Sequence, residues 1–344
     1  MKTGNQKFST IILGGIAFLL IVSAPRWTLA SDRALFQLGG IDYLESELPP
    51  GLRLDLYEVE DEYYRELERI FDEALFDIYL QEESERLGKS KDRIRTKRLS
   101  VPKPDEADVR AFYENIKDRI GRPYKAVRGQ ISDLLRQQAS NKKRADLLAD
   151  YRQKNHFKIL LPRITPPTVE IRTRGFPTKG DPKARITIVE FADYQCPHCK
   201  TAYEEIGRLL DEFQGKVKAI YMDYPINRSG ISTLVAQGAV CADQQGKFQS
   251  YRELAYQRQA TLDKSSPLNL AKEIGLDPEK FIHCFQSEQP KAKVAKAKKE
   301  AQRLNLRSTP TIFVNGKRVI IHHDFKKDIR QAIERELAYL AGSR

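Results

Sequence analysis

The stretch Ile186-Thr187-Ile188-Val189-Glu190-Phe191-Ala192-Asp193-Tyr194-Gln195-Cys196-Pro197-His198-Cys199-Lys200-Thr201-Ala202-Tyr203 decides the fold. Its first six residues form an apolar run broken by a single acid, the pattern of a buried strand. From Lys200 onward the pattern becomes helical and continues through Ile206, Leu209 and Leu210. Between the two, Cys196-Pro197-His198-Cys199 places a pair of thiols three residues apart at the start of a helix. A strand that delivers Cys-x-x-Cys onto a helix N-terminus is the setting in which the motif carries thiol–disulfide chemistry. The competing use of the motif, half of a zinc site, needs a second Cys-x-x-Cys, which the chain lacks.

Downstream, 217–224 reads as a second core strand and 229–306 as a long helical insert. In 311–321, Asn315-Gly316 between apolar runs is a two-residue hairpin signal. Asp324 can cap a last helix running to about residue 340.

Upstream, 31–165 reads as helical. In 60–87, Tyr64, Leu67, Phe71, Leu75 and Ile78 follow helical spacing, with Gly88 as the stop. Asp105 can cap a second helix carrying Val109, Phe112, Tyr113 and Ile116, and a third spans 124–151. Pro162, Pro166 and Pro167 mark a joint, and 175–182 reads as a turn-rich lead into the second domain. Residues 1–30 have the layout of a secretory signal: Lys2 and Lys7, an apolar run over 11–22, then Thr28-Leu29-Ala30 before Ser31. An uncleaved membrane anchor is the alternative. Export would place the four cysteines in a disulfide-permissive compartment.

The chain of 344 residues has a net charge of +12. Residues 31–165 are neutral, whereas 166–344 carry 30 basic and 21 acidic residues, a net +9. The charges are scattered and no nucleic-acid motif accompanies them; the run Lys291-Ala292-Lys293-Val294-Ala295-Lys296 reads as a solvated helix face. No nucleic-acid partner, cofactor or metal is expected. His322-His323 beside Asp324 reads as a surface pair rather than a metal site.

Three matches make residues 168–340 resemble the DsbA-like branch of the thioredoxin superfamily: the Cys196-Pro197-His198-Cys199 tetrapeptide, Glu190 six residues before it, and Ser308-Thr309-Pro310-Thr311 just before the hairpin. The resemblance implies an α/β thioredoxin-like fold with a helical insertion over 166–344. It implies that Pro310 is cis and that Thr309-Pro310 offers a backbone edge to substrate. Cys196 at the helix N-terminus would be the low-pKa nucleophile and Cys199 the buried resolving thiol. Pro197 would stiffen the turn, His198 would support the thiolate, and Glu190 would relay a proton to and from Cys199. Cys241 and Cys284 fall in the insert. Four cysteines allow three pairings, and two buried free thiols are the alternative; some DsbA-like proteins carry a structural disulfide here, which implies a Cys241–Cys284 bond.

Gly39-Gly40-Ile41-Asp42, Gly88-Lys89-Ser90, Val101-Pro102-Lys103-Pro104 and Val109-Arg110-Ala111-Phe112-Tyr113 resemble the mainly helical N-terminal region of SurA-like chaperones. Phe157-Lys158-Ile159-Leu160-Leu161 resembles the strand that returns to that domain. The domains expected are therefore a signal peptide (1–30), a SurA-like helical domain (31–165) and a DsbA-like domain (166–344). The function expected is a periplasmic thiol:disulfide oxidoreductase that forms disulfides in exported proteins. Its clients would be unfolded or reduced exported proteins, and a membrane redox partner would recycle it. The alternatives are a disulfide isomerase or reductase, or a chaperone whose redox pair is secondary, with 31–165 holding clients or forming a homo-oligomer.

Overall fold

The computed structural model describes residues 32–161 and 164–342; the expected signal 1–30 and Pro162 lie outside the described residues. The chain divides into two compact units between Leu48 and Pro49. In the first, strands β1 (Ala34–Leu38) and β2 (Ile41–Leu44) pair antiparallel, so Gly39-Gly40 turns a hairpin and 41–42 start a strand rather than opening a helical region. Phe36 and Tyr43 stack across it with ring centroids 5.0 Å apart.

The second unit opens with helices α1 (Pro50–Leu87), α2 (Lys91–Leu99), α3 (Glu106–Ile120) and α4 (Tyr124–Lys154). Gly88 ends α1 in the left-handed conformation, and the Asp105 carboxylate accepts the Asp108 N–H at 2.7 Å to start α3. The buried positions late in α1 are Leu75, Phe76 and Leu80, packed with Ile94 of α2 and Leu148 of α4. Ile78, expected on this face, is 51% exposed, because burial follows Phe76 and Leu80 one position round the helix. Residues 157–161 form no strand: Phe157 packs against the α1–α4 cluster beneath the Arg152 guanidinium, 5.3 Å from its ring centroid, and Leu160 is 92% exposed.

The remaining elements are β3 (Thr178–Gly180), β4 (Ile186–Ala192), α5 (Pro197–Glu212), β5 (Val217–Asp223), α6 (Ile231–Gln244), α7 (Phe248–Gln257), α8 (Ser266–Glu273), α9 (Pro278–Gln286), α10 (Glu288–Arg303), β6 (Thr311–Val314), β7 (Lys317–Val319) and α11 (Phe325–Gly342). They build one sheet in the order β3-β5-β4-β6-β7. Strand β4 is central, parallel to β5 and antiparallel to β6. The lead at 175–182, expected as turns alone, supplies the edge strand β3 against β5. Asn315 and Gly316 both have positive φ (49° and 77°), as a two-residue hairpin of this hand demands. A Cβ on Gly316 would lie 2.4 Å from the Val169 carbonyl oxygen. Asp324 caps α11 through the Lys327 N–H at 2.7 Å.

Strand β4 is buried on both faces, which is why it reads as nearly continuous apolar sequence. With a period of two, Ile186 and Ile188 face a core shared with α5, the insert and α11, whereas Val189 and Phe191 face a second core that includes Ala297, Ala301 and Leu304 at the end of α10. Leu54 of α1, fully buried, belongs to that second core. Gly51 allows the approach, since a Cβ there would come within 2.8 Å of Asn305 Cβ. The 38-residue α1, about 57 Å long at 1.5 Å per residue, therefore packs its first turns on the core beneath the five-stranded sheet and its last turns in the helical bundle. A boundary at 165/166 separates the sequence patterns but not the packing.

Cys241 of α6 and Cys284 of α9 are disulfide-bonded across a separation of 43 residues, inside the first core. Replacing both by alanine is expected to lower stability by about 4 kcal/mol from loop closure alone. Guanidinium denaturation of the two proteins measures this, and a loss below about 1 kcal/mol would contradict it.

Candidate active site

The chain leaves β4 at Ala192 and reaches the helix through a loop held by buried Asp193. One Asp193 carboxylate oxygen accepts the Gln195 N–H at 2.7 Å and the Ser232 hydroxyl; the other accepts the N–H groups of Ile226 (2.8 Å) and Asn227 (3.0 Å). Gln259, after α7, donates through Nε2 to the carbonyls of Tyr194 (2.8 Å) and Cys196 (2.9 Å). These two side chains fix the loop that presents Cys196.

Cys196 is the N-cap residue of α5 and Pro197 its first helical residue, where a missing N–H costs nothing. Cys199, one turn in, is fully buried, and its sulfur accepts the Asp193 N–H at 3.4 Å. Both thiols are free. The Cys196 S–H lies 3.2 Å from the Thr309 carbonyl oxygen, and the Thr309–Pro310 peptide is cis. His198, Thr309 and Pro310 line one cavity beside the pair.

The environment splits the two thiols. A hydrogen bond from the Cys199 thiol, with further ones from the Thr309 side chain and the backbone N–H groups of Cys199 and His198, holds the Cys196 pKa down to about 5 against the opposing effect of partial burial. Burial, followed by hydrogen bonding to Cys196 and the nearby Glu190 charge, pushes the Cys199 thiol up. The folded-state pKa of Cys196 is depressed, so the reduced protein gains stability as pH rises from about 5 to the ordinary thiol value of 9.0 and loses it as pH falls back through 5. Cys199 stays protonated through that window. Thiolate absorbance of the reduced protein is expected to rise with a midpoint at about 5; a midpoint near 8 or above would contradict this account of the site.

Glu190 is fully buried at the end of β4, on the face of Ile186 and Ile188, which points it toward the insert. Its Oε2 accepts the Arg252 Nη2–H at 2.6 Å, and both side chains are buried. Among the described residues, Glu190 Oε1 has no hydrogen-bond partner. The Arg252 guanidinium lies over the rings of Tyr221 (3.8 Å), Tyr203 (4.9 Å) and Tyr256 (5.5 Å). Sequence reasoning missed Arg252, Asp193 and Gln259. Arg252 did leave a trace, because it occupies the apolar face Phe248, Tyr251, Arg252, Ala255, Tyr256 of α7, a position where a solvated arginine does not belong. His322 pairs with Asp61 at 3.2 Å and His323 with Asp328 at 3.1 Å. No group of side chains suited to a metal ion occurs among the described residues.

A thioredoxin family model matches residues 173–335. The chain is 32% identical over 143 residues to a Na(+)/H(+) antiporter NhaA 1 of a Mycobacterium species, a match covering 41% of this chain but only 23% of the antiporter. It thus spans about a quarter of the length of that curated relative. A crystal structure of oxidised BdbD from Bacillus subtilis is 26% identical, with a TM-score of 0.45, covering 51% of this chain and all of that one. The probable disulfide bond formation protein D of Bacillus anthracis is 30% identical over 169 residues, covering 46% of this chain and 76% of the relative. Through its C-terminal part, the chain belongs to the family of thioredoxin-like, DsbA-like disulfide bond formation proteins.

Proposed function

We propose that the chain is an exported thiol:disulfide oxidase that introduces disulfides into unfolded or reduced proteins of the periplasm. The observation that carries this reading is the opposed character of its two thiols, one accessible and favouring the thiolate, the other buried and held as the thiol. In the oxidised enzyme, a substrate thiolate attacks the Cys196 sulfur, the Cys196–Cys199 bond breaks, and Cys199 leaves and takes up a proton. A second substrate thiolate then attacks the first substrate sulfur, and Cys196 leaves as a stabilised thiolate. The substrate loses two electrons and two protons, and the cysteine pair gains the electrons. A low leaving-group pKa speeds that last displacement and favours reduced enzyme over reduced substrate.

Glu190 is proposed as the proton carrier for Cys199. Arg252 holds one carboxylate oxygen, which leaves Oε1 as the acceptor. His198 would add a donor near the Cys196 thiolate. Thr309-Pro310 would pair with the extended substrate backbone. A membrane redox partner would return the pair to the disulfide, and the signal-like 1–30 would direct export. Among the described residues, no helix is long and apolar enough to cross a membrane.

A second reading, isomerase or reductase with chaperone activity, is favoured by one feature. A cavity of about 350 Å³ between α3 and α4 is lined by apolar side chains including Phe112, Ile116, Val127, Ile131 and Leu134. The SurA-like assignment of 31–165 belongs to this reading. One assay pair separates the two: stoichiometric oxidised protein is mixed with a reduced two-cysteine substrate, and reduced protein with a scrambled one. Rapid disulfide formation in the reduced substrate supports the oxidase; repair of the scrambled substrate with little net oxidation supports the isomerase.

A further inference from the structure

The cavity beside the redox pair has a wall that the thioredoxin-like fold does not supply. Its volume is about 730 Å³, with His198, Thr309 and Pro310 on one side and Glu58, Asp61 and Glu62 of α1 on the other. Helix α1 is fixed there. Leu54 is buried in the second core, Asn305 Nδ2 donates to Asp55, Arg307 pairs with Asp55 at 3.3 Å, and Arg318 pairs with Glu58. A segment lying along the cis-proline edge therefore meets a rigid helix rather than open solvent.

The charges of this wall do not cancel. Glu58 is neutralised by Arg318, and Asp61 by Arg65 at 3.5 Å with His322 alongside. Glu62, and Asp324 at the start of α11, also line the cavity; both are exposed, and no ion pair engages either among the described residues. Asp324 accepts the Lys327 backbone N–H at the start of α11, so its partner is the helix N-terminus rather than a cationic side chain. Glu58, Asp61 and Glu62 come from α1, so the neutral segment 31–165 brings acids to a cavity whose other wall belongs to 166–344, which carries a net +9.

Building on the oxidase reading above, we propose that α1 is the second wall of the substrate groove, and that Glu62 and Asp324 select extended polypeptide segments with lysine or arginine beside the target cysteine. Two solvent-facing carboxylates act through screened Coulomb attraction, so the selection is moderate and salt-sensitive.

The test uses the full chain and two labelled peptides with serine in place of the cysteine, one flanked by lysines and one by glutamates, with binding read by fluorescence anisotropy. At low salt the lysine peptide is expected to bind about fivefold tighter. In the double variant Glu62→Gln/Asp324→Asn, in which asparagine keeps the α11 cap, the two affinities are expected to fall within about twofold of each other. Equal affinities in the wild type, no measurable binding of either peptide, a preference for the acidic peptide, or an undiminished preference in the double variant would each overturn the proposal. Cysteine versions that bind with the expected preference but are not oxidised would leave the groove standing and count against the oxidase reading instead.

Discussion

Cys196→Ser and Cys199→Ser are expected to fail in different ways, though both lose the disulfide and with it about 10³-fold or more of dithiol-oxidising activity. The difference comes from position. Cys196 caps α5 half-buried beside the cis-proline edge, with its thiolate supported by several donors. Cys199 is fully buried and held protonated. In Cys199→Ser, Cys196 remains accessible and ionised at pH 6, so it should react quickly with iodoacetamide and collect reductant-sensitive adducts with thiol-bearing peptides. In Cys196→Ser, the remaining Cys199 should react with neither. Mass spectrometry of the two variants after incubation with an activated-disulfide peptide reads this directly. Equal adduct yields would remove the assignment of Cys196 as nucleophile.

Arg252→Leu carries the second large effect. The mutation leaves the Glu190 carboxylate fully buried without its cation, and breaking a buried pair on one side costs about 3–5 kcal/mol. It also removes the guanidinium from above three tyrosine rings. The double variant Glu190→Leu/Arg252→Leu should regain much of that loss, since an apolar replacement of the whole pair avoids two desolvated charges. Guanidinium denaturation of wild type, single and double variants forms the test. A single-variant loss below about 1 kcal/mol would mean that Glu190 is solvated or protonated there, and the proton-carrier role would need another basis.

Both effects depend on residues that the sequence exposes unequally. Strand β4, the Cys-Pro-His-Cys helix start, the Asn315-Gly316 hairpin and the Asp105 and Asp324 caps are local signals, set by periodicity and by side chains that bond backbone a few residues away. Arg252 lies 62 residues beyond Glu190, and Gln259 63 residues beyond Cys196. Their partners are assigned by how the insert folds back over the sheet, which no local pattern encodes. Leu54 is a sharper case: it reads as an ordinary residue near a helix start, yet it sits in a core with Phe191 and Phe313. Pro162, Pro166 and Pro167 read as a joint between separable modules, but Leu54 is buried with Val189, Phe191 and Phe313 and ties α1 to the five-stranded sheet. Residues 157–161 have the composition of a strand but form none, and their apolar content goes partly into the helical cluster and partly to solvent.

The equilibrium of Cys196–Cys199 with a glutathione redox buffer at pH 7 tests the central claim most directly. The Cys196 pKa of about 5 lies between those of the corresponding thiols of thioredoxin and DsbA, and a more stabilised thiolate makes the disulfide a stronger oxidant. The reduction potential is expected to lie between about −120 and −180 mV. A value at or below about −270 mV would make the pair a reductant and contradict it.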